Sequence, residues 1–273
     1  MSELDQGTII VGVRSSKYPD VQCYGIIITA SCDIENEKVG KLYYLIGVKV
    51  QRWFCSEFGF HLVYDSEKNK LYDRYSNKCQ LLSLDADTLL QFSKEDVEKV
   101  LETQVKKNKD RSELKELYER YLLYIKPDMN EAVRRLIIQQ NSDPVVQFVK
   151  NVDLERTLHY FYLPESTYMS INSRMDTGLI VDLQEIDYIS LSDAKKIITP
   201  GIDNLIIGQE SATERDRLKK KFWLNDPDDF VDIEGKIVSP WREHLMQRFT
   251  HDFTRIGVNR ATEDDYSKMV RTI

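Results

Sequence analysis

The sequence predicts an α+β protein, and three observations carry that prediction. The first 65 residues concentrate β-branched and aromatic side chains in runs separated by turn-forming stretches. Residues 85–152 switch to helical periodicity, and strand character then returns ahead of one closing amphipathic helix. The organisation implied is a β-rich sheet or small barrel over 1–84, a helical subdomain or insert over 85–155, and a mixed β/α part over 156–273. The pattern fits either one sheet shared by the two β regions or two separate domains.

The β-rich start is read from GTIIVGV, CYGIIITAS and KLYYLIGVKVQRWF. Continuous apolar runs such as Ile26-Ile27-Ile28 imply strands covered on both faces, or a small barrel. HLVYD and KLYDRY, separated by Ser66 to Asn69, read as a hairpin. Four short helices are expected next. Ser93 with Asp96 three residues on is an N-cap pattern, followed by Val97, Val100, Leu101 and Val105 at helical spacing. Leu114, Leu117, Tyr118, Tyr121, Leu122 and Ile125 form the next face, which stops before Pro127. A third helix starts near Asp128 with Val133, Leu136 and Ile137, and a fourth at Asp143-Pro144, where proline suits the first turn.

Strands are expected again at 158–163, 178–183, 188–191 and 230–238, with the polar GQESATERDRLKKK between them mobile or weakly helical. SPWREHLMQRFTHDFTRIG has the clearest limits: Ser239 suits the N-cap, Pro240 the first position and Gly257 the residue just past the end. Trp241, Leu245, Phe249, Phe253 and Ile256 fall on one face of that helix, which therefore packs on a core.

Composition restricts the function classes. The 273 residues carry 30% charged and 41% hydrophobic residues with few Gly and Pro, the profile of a soluble globular protein. A net charge of −7 does not favour nucleic acid or an anionic membrane as a partner. No apolar run reaches the length of a membrane span, the N-terminus lacks a signal-peptide pattern, and four cysteines without paired spacing are expected as reduced thiols in a cytoplasmic protein.

Candidate chemistry is sparse. His244, Arg248, His251 and Arg255 fall within an arc of about 60° beside the apolar stripe of the last helix. Forked guanidinium donors with imidazoles suit a carboxylate or phosphate, or else a pairing with acidic neighbours such as DPDDFVDIE across a contact. Arg242, beside the stripe, needs a carboxylate partner. Asp228, Glu234 and Lys236 superficially match the PD…ExK pattern of metal-dependent nucleases, but the six-residue separation is short, and Asp182 or Asp187 substitutes only if the strands are neighbours.

Cys23, Cys32, Cys55, His61 and Cys79 lack zinc-site spacing, so no metal and no cofactor is expected, a divalent ion arising only under the nuclease alternative. A nucleophilic Cys32 needs His61 or His159 as its base, and the adjacent Asp33 opposes thiolate formation. Within ITASCDIEN the reading preferred is structural: Cys32 as an inward thiol ending a strand, and Asp33 as a corner carboxylate that bonds backbone amides or receives Arg242 or Arg255. Lys106-Lys107-Asn108-Lys109 and Lys219-Lys220-Lys221 read as solvated helix ends. No G-x-G-x-x-G, P-loop, H-E-x-x-H or G-x-S-x-G occurs.

The start ending in ITASCDI together with the late SPWREHLMQRF…RIG helix resembles uncharacterised bacterial proteins, some associated with mobile anti-phage defence loci. The resemblance rests on about 30 residues of this chain and implies a component of a multi-protein system, with no site carried over. The function expected is an interaction or regulatory subunit that binds a protein partner or an anionic ligand. The alternative is a metal-dependent nuclease or other hydrolase.

Overall fold

The computed structural model describes residues 4–126, 129–154, 156–157, 159–170, 178–198, 212–225 and 230–255. The chain forms two compact units, one comprising Met1–Ser15, Gln22–Val48 and Glu155–Ile273, the other Ser16–Val21 and Lys49–Leu154. The α+β class is what the structure shows.

The first unit is built on one sheet. Its strands are β1 (Thr8–Val13), β2 (Cys23–Ile27), β3 (Lys41–Lys49), β4 (Tyr160–Leu163), β5 (Tyr168–Ser170), β6 (Leu179–Ser190) and β7 (Asp232–Ile237), in the order β4-β6-β3-β2-β1-β7-β5. The two β regions of the sequence therefore interleave: the C-terminal β7 pairs antiparallel with β1, and β6 lies beside β3. Among the described residues, helices α1 (Ser31–Glu35), α9 (Leu191–Ile198), α10 (Ala212–Lys221) and α11 (Trp241–Arg255) also belong to this unit. Its core joins Ile9, Val11, Ile26, Leu45, Phe161, Val181 and Leu183 to Leu245 of α11. Gly12 has φ +88°, and a Cβ there would lie 2.4 Å from the Phe230 carbonyl oxygen, so the irregularity between Val11 and Val13 requires glycine.

The second unit is helical: α2 (Val50–Cys55), α3 (Glu57–Leu81), α4 (Ala86–Leu90), α5 (Lys94–Gln104), α6 (Asn108–Tyr124), α7 (Glu131–Gln140) and α8 (Asp143–Asp153). The Ser93 cap and the Pro144 first turn occur as the sequence predicts. The expected hairpin does not form. Residues 57–81 are one helix, because Phe60, Tyr64, Leu71, Tyr75 and Cys79 return to a single buried face at helical spacing. The KLYYLIGVKVQRWF run likewise stops being a strand at Lys49 and turns into α2, which buries Trp53 and Phe54. In α7 the expected apolar Leu136 is 41% exposed while Arg134 is buried. In the first unit the two short strands expected at 178–183 and 188–191 are one twelve-residue strand, β6, and the polar 212–221 stretch is the helix α10.

Candidate functional site

The best-supported site lies where α11 meets β4. Leu245 is fully buried, and Trp241 and Phe249 pack against the same core, which fixes the rotation of α11. That rotation carries the basic flank not out to solvent but partly inward. Arg248 is only 8% exposed and donates from Nη2 to the Thr157 carbonyl at 3.4 Å. His244 is half-buried, its ring edge-on to Phe161 at 5.2 Å and tilted against Trp241 at 6.2 Å. His251 is exposed, and the Arg255 side chain lies outside the described residues.

Sequence reasoning missed Asp252. It is 4% exposed, and both carboxylate oxygens stand 3.2 Å from Nδ1 of His159. The His159 carbonyl accepts the Leu183 amide at 2.9 Å, so the β4–β6 register sets the backbone that carries the ring. A buried carboxylate needs compensating donors, and His159 supplies one from the adjoining element. With a carboxylate at Nδ1, that nitrogen carries the proton, and the ring is held in one orientation with Nε2 left for a ligand. The signal available in sequence was the Arg248–Asp252 spacing of four; the partner, 93 residues away, had none. His159 therefore belongs with Asp252 and not with Cys32.

The ExK stretch sits elsewhere on the sheet. Glu234 is fully buried and is the extra residue of a bulge, since Ile9 faces Gly235 while Ile10 faces Ile233. Lys236 forms an ion pair with Asp5. Burial alone would raise the Asp5 carboxyl, but hydrogen bonds from Lys236, Ser31 and the Gln6 amide outweigh it and hold Asp5 below the usual carboxylate range. Asp228 lies outside the described residues. The condition for Asp182 or Asp187 to join this group is not met, because β3, β2 and β1 separate β6 from β7. Asp182 is buried and accepts the Gln184 amide, while Asp187 pairs with Lys221 and lies 3.5 Å from the Tyr44 hydroxyl.

ITASCDIEN is also different from its expectation. The strand ends at Ile27, and Ser31–Glu35 is a short helix with Cys32 exposed and Ile34 as its buried residue. The corner is made by main chain: the Ala30 carbonyl accepts the Asp33 amide, and the Asp33 carbonyl accepts the Lys38 amide. Asp33 does not receive Arg242, whose partner is Glu243 at 2.6 Å. Cys23, Cys55 and Cys79 are buried, and burial pushes the Cys55 and Cys79 thiols up. His61 pairs with Asp65 on α3 at 3.0 Å. Among the described residues, no three His, Cys, Asp or Glu side chains come together to hold a metal ion, and no helix is long and apolar enough to cross a membrane.

Comparison of the chain with protein-family models, with curated proteins and with solved structures finds no match.

Proposed function

We propose that this chain is a cytoplasmic interaction or regulatory subunit of a multi-protein system, and that the α11–β4 face binds an anionic group of its partner or ligand. The observation that carries this reading is His159, a half-exposed imidazole oriented by the buried Asp252 and beside a segment held by Arg248. When protonated, its Nε2–H is a preoriented donor for carboxylate or phosphate. The exposed His251 lies one position before Asp252 on α11 and is a second imidazole of that helix. The resemblance to proteins of anti-phage loci supports a multi-protein setting.

The burial of Arg248 decides how the reading is tested. Reversing its charge would leave a buried anion near the Thr157 carbonyl and destabilise the chain, so loss of binding would carry no message. His159→Asn keeps an amide N–H where Nδ1 faces Asp252 and removes only the outward Nε2, and His251→Gln changes an exposed ring. Titration of the full chain with pyrophosphate and with an acidic peptide, beside thermal melts, should show binding that weakens in these variants at unchanged Tm. Absence of binding to both probes overturns the reading. Divalent-dependent cleavage of nucleic acid that is lost in Glu234→Ala would overturn it in favour of the nuclease.

A further inference from the structure

A second surface of the sheet unit combines exposed aromatic rings with lysines. Along β3 the outward positions are Lys41 and Tyr43, alternating with the buried Leu42 and Tyr44. On the neighbouring β6, Tyr188 brings its ring to 6.1 Å from that of Tyr43. Tyr43 is 47% and Tyr188 36% exposed, which is unusual for two large rings standing together. The Lys41 ammonium lies 3.9 Å from the Tyr188 ring centroid and that of Lys221 lies 4.4 Å from it.

Two ammonium groups, those of Lys41 and Lys221, stand against Tyr188, although the chain as a whole is at −7. Lys221 is the last residue of α10, whose final turn is Lys219-Lys220-Lys221, and Lys219 and Lys220 are exposed. Asp187 answers Lys221, and Glu37 answers Lys195 of α9. Lys41, Lys219 and Lys220 have no carboxylate partner among the described residues. A helix C-terminus accounts for some lysine enrichment through its dipole, but not for an exposed ring pair next to it.

We propose that the outer face of β3 and β6, with the end of α10, binds single-stranded nucleic acid: Tyr43 stacks an unpaired base, and Lys41, Lys219 and Lys220 hold flanking phosphates. The pairing of a stacking ring with backbone-tracking cations is how sequence-tolerant single-strand binding is built. A duplex keeps its base faces covered and gains nothing from Tyr43. An acidic peptide uses the lysines and not the ring face.

Fluorescence anisotropy tests this with the full chain and labelled single-stranded DNA and RNA of about 15 nucleotides, a length within the usual site sizes. Binding is expected at about 50 mM salt, where the electrostatic contribution is strong. Tyr43→Ala should weaken it about tenfold and Tyr43→Phe, which keeps the ring, should not. The Lys219→Ser/Lys220→Ser pair should reduce the log–log salt slope by about 1.4, since each phosphate contact on a single strand contributes about 0.7. No binding, equal competition by a duplex or by polyglutamate, or an unchanged Tyr43→Ala affinity each overturns the proposal. None of these residues belongs to the α11–β4 face, so this outcome is independent of the one proposed there.

Discussion

Arg134 is a buried cation that ties three segments of the helical unit together. It lies on α7, is 7% exposed, and donates to three acceptors in three segments: the Cys55 carbonyl at 2.6 Å, the Met129 carbonyl at 2.7 Å and Asp20 Oδ2 at 3.0 Å. Replacing it by methionine keeps most of the stem's volume and removes all three bonds. The Cys55 bond is fully buried, so that carbonyl would be stranded at a cost of about 1–3 kcal/mol. Met129 is part-buried and adds about 1 kcal/mol, whereas Asp20, 33% exposed, recovers water and loses little. The guanidinium's own desolvation is relieved, which sets the net at about 3 kcal/mol. For a unit of roughly a hundred residues that corresponds to a fall of about 12–24 °C in its transition. Calorimetry of the full chain, with helicity followed by circular dichroism, reads this directly. Arg134→Lys should recover only part, because a point charge cannot reach three separated acceptors. A loss under about 1 kcal/mol in Arg134→Met would refute the reasoning. A coupling to Asp20→Asn larger than the loss from the two carbonyls would assign the effect to the ion pair instead.

Two further predictions concern the sheet unit. Asp193 accepts both guanidinium nitrogens of Arg217, at 2.8 and 2.9 Å, and burial, which alone would raise its carboxyl, is outweighed by Arg217 and Ser190, which hold it below the usual value. Its stabilisation is therefore present above the unfolded carboxylate value, about 3.9, and is lost as pH falls through the depressed folded value. Asp193→Asn should lower stability by about 1–2 kcal/mol at pH 7, a gap that closes on acidification in urea titrations; a gap that persists at low pH counts against the pair. In the native chain, Ellman's reagent should titrate one thiol, that of the exposed Cys32, and all four only after unfolding. Unchanged native reactivity in Cys32→Ser would show that its exposure has been misassigned.

The legible parts of this fold were those whose limits are written locally. Ser93 and Pro144 mark helix starts by their own chemistry, and the spacing of Leu114, Leu117, Tyr118 and Tyr121 defines a face without reference to anything distant. Residues 61–75 misled because tyrosines and a local apolar alternation resemble strands; only over the full span from Phe60 to Cys79 does the helical period dominate. Arg134 was unreadable for a different reason. Nothing adjacent announces that a charged residue will be buried when its three acceptors lie at positions 20, 55 and 129. The α11 flank was legible as a set of residue types but not as a site, because which of them faces inward depends on how Trp241 and Leu245 seat against Phe161 and Val181.

Strand β6 determines both candidate surfaces, and its length explains how. Its first residues, Leu179 to Asp182, pair with β4 from Leu163 back to Tyr160, and that register places His159 against Asp252. Its later residues, Asp187 and Tyr188, run past the end of that pairing and stand beside the exposed part of β3, where they meet Lys221, Lys41 and Tyr43. Because side chains alternate along a strand, a one-residue slip of β6 would turn Asp182 toward the α11 core and displace Tyr188 from Tyr43 together. A buried Asp182 opposite Tyr160 works against such a slip, since its carboxylate would have to enter the apolar cluster of Val181 and Leu183. The buried acid that sequence reading considered as a metal ligand thus has a physical role in fixing the register on which both surfaces depend.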